Sequence, residues 1–358
     1  MNLNPIYTDP YSPQALKQEW SELCLAIPRL RIREAAATLN VSEAELLATE
    51  CGSTVTRLNL DWPLIFEALS ATGPVMALTR NDFAVHETTG LYTVTDHSDD
   101  GCRVESNTVN LQLLTQVIHV AFGVKEASPN GPRFSLQFFA ADGSAIHKLY
   151  MTEDSDLKMY HALIKQLTSA DQSQHQAIES PPRFNRFNIA TFNSRRVTQT
   201  TTHLHRDTED FYSGLIKMGI VSPLVETSSS TLTFLRPDLF HPVLNKVAAQ
   251  DLYITICVRN YGCIQVYQGP IQNIRITGPW FNILDEHFSL HLNTEAVSGF
   301  RVNTQSTDGK QVSKTLEIVD ANHQIIALIL LNAGQETDNM NLWNELIAEE
   351  TSRGNRLG

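Results

Sequence analysis

The sequence predicts an α+β protein made by tandem duplication: two similar halves, each a large antiparallel β-sheet with helices packed on it. Three observations predict this. Blocks of the chain recur at a constant offset of 179 to 180 residues. Within each repeat, helical periodicity comes first, strand alternation follows and one helical segment closes the unit. The strands are separated by short turn signals rather than by crossover helices, which sets the pattern apart from a doubly wound parallel sheet.

Each element has a local reason. "IREAAATLNVSEAELLA", from Ile32, carries apolar residues at helical spacing with a break at Asn40-Val41 and Ser42 as N-cap, so it predicts an αα-hairpin. "DWPLIFEAL", from Asp61, faces "FHPVLNKVA", from Phe240, and sets Pro63 over Pro242 where proline best starts a helix. "PVMALTRNDFAVHETTGLYTV" alternates and turns at Arg80-Asn81-Asp82, as a hairpin does. Its copy is "RNYGCIQVYQG", from Arg259, in which Gln265 stands where the first copy has His86. "RFSLQFFAADGSAIHKLYM" is a second hairpin about Asp142-Gly143, and its "LQFFAADGSAI" faces "LEIVDANHQII" from Leu316. "SDLKMYHALIKQL" and "NMNLWNELIAE" close the repeats as helices. The polar stretch ending at Pro181-Pro182 reads as a linker, giving a first repeat over 1–172, a linker over 173–188 and a second repeat over 189–358.

Composition narrows the function. The chain has 358 residues, 42% of them hydrophobic, and a formal net charge of −12, which argues against nucleic acid or an anionic membrane as partner. No run approaches the roughly 18 apolar residues of a spanning helix, and the N-terminus lacks a basic then apolar leader, so a cytoplasmic protein is expected. Five cysteines without a CxxC pair signal neither a disulfide framework nor zinc. GxGxxG, P-loop, HExxH and GxSxG motifs are all missing from the sequence. The αα-hairpin resembles a helix-turn-helix, but its second helix carries Glu43, Glu45 and Glu50 without a Lys or Arg, so packing is the better reading.

"TTTHLHRDTEDF", residues 200 to 211, gathers two histidines and three carboxylates ahead of an apolar run. It reads in two ways. Asp207 or Thr208 caps a helix whose dipole favours the acids of its first turn, or His205 and Glu209, four apart, share a face and hold a metal. His86 and His291 sit in strand-like segments, where a lone histidine is most often structural.

"LTRNDFAVHETTG", "CVRNYGCIQVYQG", "GPWFNILDEHFSLHL" and the paired-repeat layout resemble the hemin-degrading factor, or HemS-like, family of haem-utilisation proteins, over nearly the whole chain. The resemblance implies haem (hemin) as ligand or cofactor, held by the C-terminal half and the linker side, for trafficking to a protein partner or for oxidative opening of the ring. Whether the chain is an enzyme stays open. Haem requires an axial ligand, cations for two propionates and apolar walls. The family's axial histidine aligns on Glu209, with His205 one helical turn earlier. Its distal arginine, carried in the helix after the first hairpins, aligns on Gln112. Its propionate-binding cations align on Ser222, Gln305 and Ala333, and His86 and His291 match family histidines. The haem-site expectations are therefore His205 or Glu209 as metal ligand, Gln112, His86 and His291 in the pocket, and Arg259, Arg206 and Arg301 as replacement cations. The competing expectation is a scaffold whose cleft is filled by Leu330, Leu331 and Phe211 and takes another apolar small molecule or a protein partner.

Overall fold

The computed structural model describes residues 12–28, 30–98, 100–179, 206–220, 228–235, 239–307, 310–331 and 337–356. The strands form two large antiparallel sheets with helices packed on them, and the chain divides into two compact units. The units are not sequence-contiguous: the first comprises 1–76 and 114–185, the second 77–113 and 186–358. Elements are numbered along the chain.

In the first unit, α1 (Pro13–Ala26), α2 (Ile32–Leu39) and α3 (Glu43–Ala48) pack through Leu16, Trp20, Ala35, Ala36 and Leu46. The expected αα-hairpin is present. Asn40 adopts the left-handed conformation that ends α2, and Ser42 and Glu45 form a reciprocal capping box at the start of α3. Then come β1 (Val55–Leu58), α4 (Trp62–Ala71), started by Pro63, and β2 (Pro74–Arg80), which crosses the unit boundary. After the excursion into the second unit, β7 (Ile118–Glu126), β8 (Arg133–Ala140), β9 (Ala145–Met151) and α5 (Leu157–Leu167) complete the first. The pairing runs β1-β7-β8-β9. At the β8–β9 turn Gly143 has φ +75°, and an added Cβ would lie 2.1 Å from Ser42 Oγ, so both conformation and space demand glycine there. Residues 173–179, expected from the sequence to begin a linker, have no regular structure, yet they are held: Arg57 of β1 donates to the carbonyls of Ser173 and His175 and to the Gln176 side chain.

The second unit holds β3 (Ala84–Leu91), β4 (Val94–Ser98), β5 (Gly101–Glu105) and β6 (Asn110–Leu113) from the first repeat. From the second repeat it holds α6 (Arg206–Lys217), β10 (Ser228–Leu235), α7 (Phe240–Ala249), β11 (Ile254–Arg259), β12 (Cys263–Gly269), β13 (Ile274–Thr277), β14 (Trp280–Leu284), β15 (Phe288–Asn293), β16 (Gly299–Thr307), β17 (Lys310–Val319), β18 (Ile325–Leu331) and α8 (Thr337–Arg356). Within it the repeats exchange strands. First-repeat β3 pairs with second-repeat β15, while second-repeat β12 pairs with first-repeat β6, which occupies the corresponding place in its own repeat. The segment around Gln112 is thus a strand, β6, and not the helix the resemblance implied, because its Leu111 and Leu113 alternate into the core opposite Gln265 and Cys263.

The doubled "RN" turns show the exchange at atomic detail. Asn81 accepts at Oδ1 from the amides of Phe83 and Ala84, and its amide donates to the Arg259 and Ile326 carbonyls. Asn260 does the same in reverse, accepting from Gly262 and Cys263 and donating to the Arg80 carbonyl. Each turn is closed by its own asparagine and tied to the other.

Candidate ligand-binding site

The helix after the linker, α6, is built to lie on a sheet. Phe211, Leu215 and Met218 recur at helical spacing and are buried against Cys257, Ile264, Val266, Leu328 and Leu330. Gly214 permits the close approach: a Cβ there would fall 2.2 Å from the Ile264 side chain and 4.0 Å from Gln112 Oε1. The helix ends on Gly219 at φ +71°, with Ile220 N donating to the Leu215 carbonyl. Arg103 of β5 adds a cation at that end, donating to the Met218 carbonyl at 3.0 Å while pairing with Glu105 at 3.2 Å. A pocket of about 230 Å³ lies beside it, lined by Arg103, Glu105, Asn110, Met218, Gly219 and Gln268 among others.

The sheet face under α6 changes character across its width. On β12, β11 and β18 it is apolar where α6 packs, with Thr255 of β11 buried farther along. On β17 and β16 it carries Thr315 and Glu317, then Arg301 and Asn303, all buried. Arg301 Nη2 lies 2.7 Å from Glu317 Oε2, and Tyr212 of α6 donates to Glu317 Oε1 at 2.7 Å. Burial first, then the Glu317 charge, pushes the Tyr212 phenol well above its ordinary range, so the hydroxyl remains a donor.

The sequence-predicted residues are distributed unequally. Gln112 and Arg259 come to α6, Gln112 beside Gly214 and the Arg259 guanidinium 5.2 Å over the Phe211 ring. Arg301 does not offer a replacement cation, since it is buried and paired with Glu317. Position 209 is in the first turn of α6, but the side chains of Arg206 and Glu209 lie outside the described residues, as do His205, Ser222 and Ala333 entirely and the side chain of Gln305. Because α6 already includes Asp207 and Thr208, neither is its N-cap. Of the cleft-filling set, Phe211 and Leu330 meet under α6, whereas Leu331 packs in the separate core with α7 and α8.

His86 and His291 are brought together with neither α6 nor each other. Their strands β3 and β15 pair with His86 opposite Leu290 and His291 opposite Val85, which sends the two rings to opposite faces. His86 is fully buried beside the Phe288 ring, its nitrogens make no hydrogen bond, and desolvation lowers its pKa to about 3 although the Ile256 backbone favours the proton. It is a neutral core histidine. His291 Nδ1 lies 2.7 Å from Asn282 Oδ1, and since the Asn282 amide donates to the Arg275 and Trp280 carbonyls, the histidine is the donor. Among the described residues no cluster of three or more His, Cys, Asp or Glu is set to hold a metal.

Sequence reasoning missed Tyr212, Asn303, Glu317 and Arg103. The available signal was Glu317 within "LEIVD" and Arg301 with Asn303 in "FRVNT": polar residues alternating with apolar ones within strands.

With this geometry, comparison with known proteins is decisive. A family model described as the haemin-degrading HemS.ChuX domain matches residues 40–167 and 227–349, one match in each repeat. The chain belongs to this family. The hemin transport protein HmuS of Yersinia pestis is 27% identical over 348 residues, covering 93% of this chain and 96% of that protein. The structure of holo-PhuS, a heme-binding protein from Pseudomonas aeruginosa, matches with a TM-score of 0.75 and 28% identity, covering 94% and 98% of the two chains. The heme degrading enzyme ChuS of Escherichia coli O157:H7 shares the fold, with a TM-score of 0.75 at 22% identity. Among the described residues no helix is long and apolar enough to cross a membrane.

Proposed function

We propose that this chain binds haem as cargo at the N-terminal half of α6 and hands it to a protein partner in the cytoplasm. The observation that carries the reading is the family match in both repeats together with near-complete alignment to a hemin transport protein. The residues present suit the ligand in part. Phe211, Leu215, Ile264, Val266 and Leu330 are buried against one another and so seat the helix that would carry the ligand, while Gln112 and Arg259 lie beside it as polar groups. The pocket at the other end of α6, about 230 Å³, is small beside the 300 Å³ or so typical of a drug-sized ligand. His205 and Glu209 are the proposed iron ligands, and 1–172, 173–188 and 189–358 the proposed repeat, linker and repeat. Haem iron held there would supply the redox chemistry of oxidative ring opening, with dioxygen as the oxidant and an external reductant as the source of electrons.

Hemin titration followed at the Soret band tests the proposal. The wild type is expected to give a saturable shift, and either His205→Ala or Glu209→Ala to alter its position. A wild type without a saturable shift sinks the haem reading; unchanged spectra in both variants sink the ligand assignment.

A further inference from the structure

Tyr212, Glu317, Arg301 and Asn303 form a polar cluster beside the apolar side chains that hold α6 to the sheet. The Arg301 and Glu317 side chains are 4% and 0% exposed, and Asn303 Nδ2 lies 3.4 Å from both Tyr212 Oη and Glu317 Oε1. Burying an ion pair is a poor route to stability, because desolvation offsets much of the attraction and apolar residues of similar volume do as well or better. What such a pair does provide is direction. Phe211, Leu215 and Met218 hold α6 to aliphatic side chains through contacts that tolerate sliding and rotation. The 2.7 Å bond from Tyr212 to a buried carboxylate tolerates neither. Glu317 is in turn fixed by Arg301 on the neighbouring strand, so the hydroxyl of one helix residue is referred to a rigid point in the sheet.

We propose that Tyr212 is a positioning residue for the haem site, its bond to the Glu317–Arg301 pair setting the rotation and height of α6 on the sheet. Position 209 lies three residues earlier on the same helix, so any roll of α6 that breaks the Tyr212 bond also displaces the backbone at 209. The inference rests on the haem reading above and adds to it the group that holds the ligand-bearing helix in place.

The test compares Tyr212→Phe with Tyr160→Phe in the full-length chain. Tyr160 is the matched control: a buried helix tyrosine of the first unit whose hydroxyl donates to the Ser135 carbonyl at 3.1 Å, far in sequence from α6. Both variants lose one hydroxyl and keep the ring, so both are expected to fold, with Tyr212→Phe losing more stability in urea because its bond is to a carboxylate. With hemin loaded, Tyr212→Phe is expected to shift the Soret maximum and to speed hemin release to apomyoglobin by about tenfold, the weight of one hydrogen bond to a charged group. Tyr160→Phe is expected to leave both readouts at wild-type values. Equal effects from the two variants, or none from Tyr212→Phe, overturn the proposal. Hydrogen exchange across 206–217 without hemin supplies the second readout: faster exchange in Tyr212→Phe alone supports the positioning role. If the wild type shows no Soret shift, the haem reading fails and takes the link to a haem site with it, while the exchange data still decide whether Tyr212 holds the helix.

Discussion

At the scale of single residues, the repeat is most informative where its copies differ. His86 and Gln265 occupy the same place in the two hairpins, 179 apart, and both are fully buried in the second unit. Gln265 donates its amide to the Ala77 carbonyl and to Thr88 Oγ1. His86 lies by the backbone of Ile256, which is the residue 179 after Ala77. The two side chains thus face corresponding points, but glutamine is a neutral donor at every pH and histidine is not. The pKa of His86 is lowered to about 3 in the folded chain by burial, whereas in the unfolded chain it titrates near 6.5. As pH falls below about 6.5 the unfolded state takes up a proton that the folded state refuses, so stability falls until pH reaches about 3. Replacing His86 with Gln should flatten that part of the profile. The measurement is the urea midpoint from pH 7 to pH 4; a slope as steep in His86→Gln as in the wild type would show that other groups dominate. The sequence alone offered His86 both as a structural strand histidine and as a pocket residue and did not choose between them, because only the strand pairing reveals which face is covered.

At the scale of elements, most of the fold was legible because its signals are local. The Ser42 cap, the proline start of α4, a proline in the first turn of α7 and the Asp142-Gly143 turn all stand where the sequence put them. What joins elements was less visible. Glu43, read as one of the acids that disfavour DNA, is buried in α3 and makes a 2.8 Å ion pair with Lys148 of β9, with side chains 7% and 6% exposed. The pair links helix to sheet across 105 residues, and neither partner's neighbours announce it. Removing one member leaves the other charge buried without its counter-ion, so Glu43→Ala should cost about 3–5 kcal/mol. The double variant Glu43→Leu with Lys148→Met should return most of that loss, because both desolvation penalties disappear together. Urea unfolding of the two single variants and the double variant gives the coupling energy; additive losses would show that the pair contributes no interaction of its own. The candidate site was legible to the same degree. Gln112 and Arg259 reach α6, while the Tyr212–Glu317 link, like the Glu43–Lys148 pair, arises from long-range packing that spacing does not encode.

At the scale of the whole molecule, duplication was readable and exchange was not. A repeat offset is a property of the sequence, whereas the pairings of β3 with β15 and of β6 with β12 join residues some 150 to 200 positions apart. Such non-local pairings leave no short-range mark, since both strands of a pair show ordinary alternation. The consequence concerns autonomy. The first repeat alone, residues 1–172, would carry β3 and β6 with their second-repeat partners β15 and β12 removed, exposing unpaired strand edges that recruit other chains. The second repeat alone would expose β12 and β15 in the same way. Neither repeat is therefore expected to stay soluble and monomeric when expressed by itself. Coexpression of 1–179 with 180–358 should restore a soluble one-to-one complex, because every pairing in the exchanged region is then available again. Size-exclusion chromatography with light scattering decides the matter. A monomeric 1–172 fragment with native-like near-ultraviolet circular dichroism would mean that β3 and β6 fold without their exchanged partners, and that the second unit is held together by something other than strand exchange.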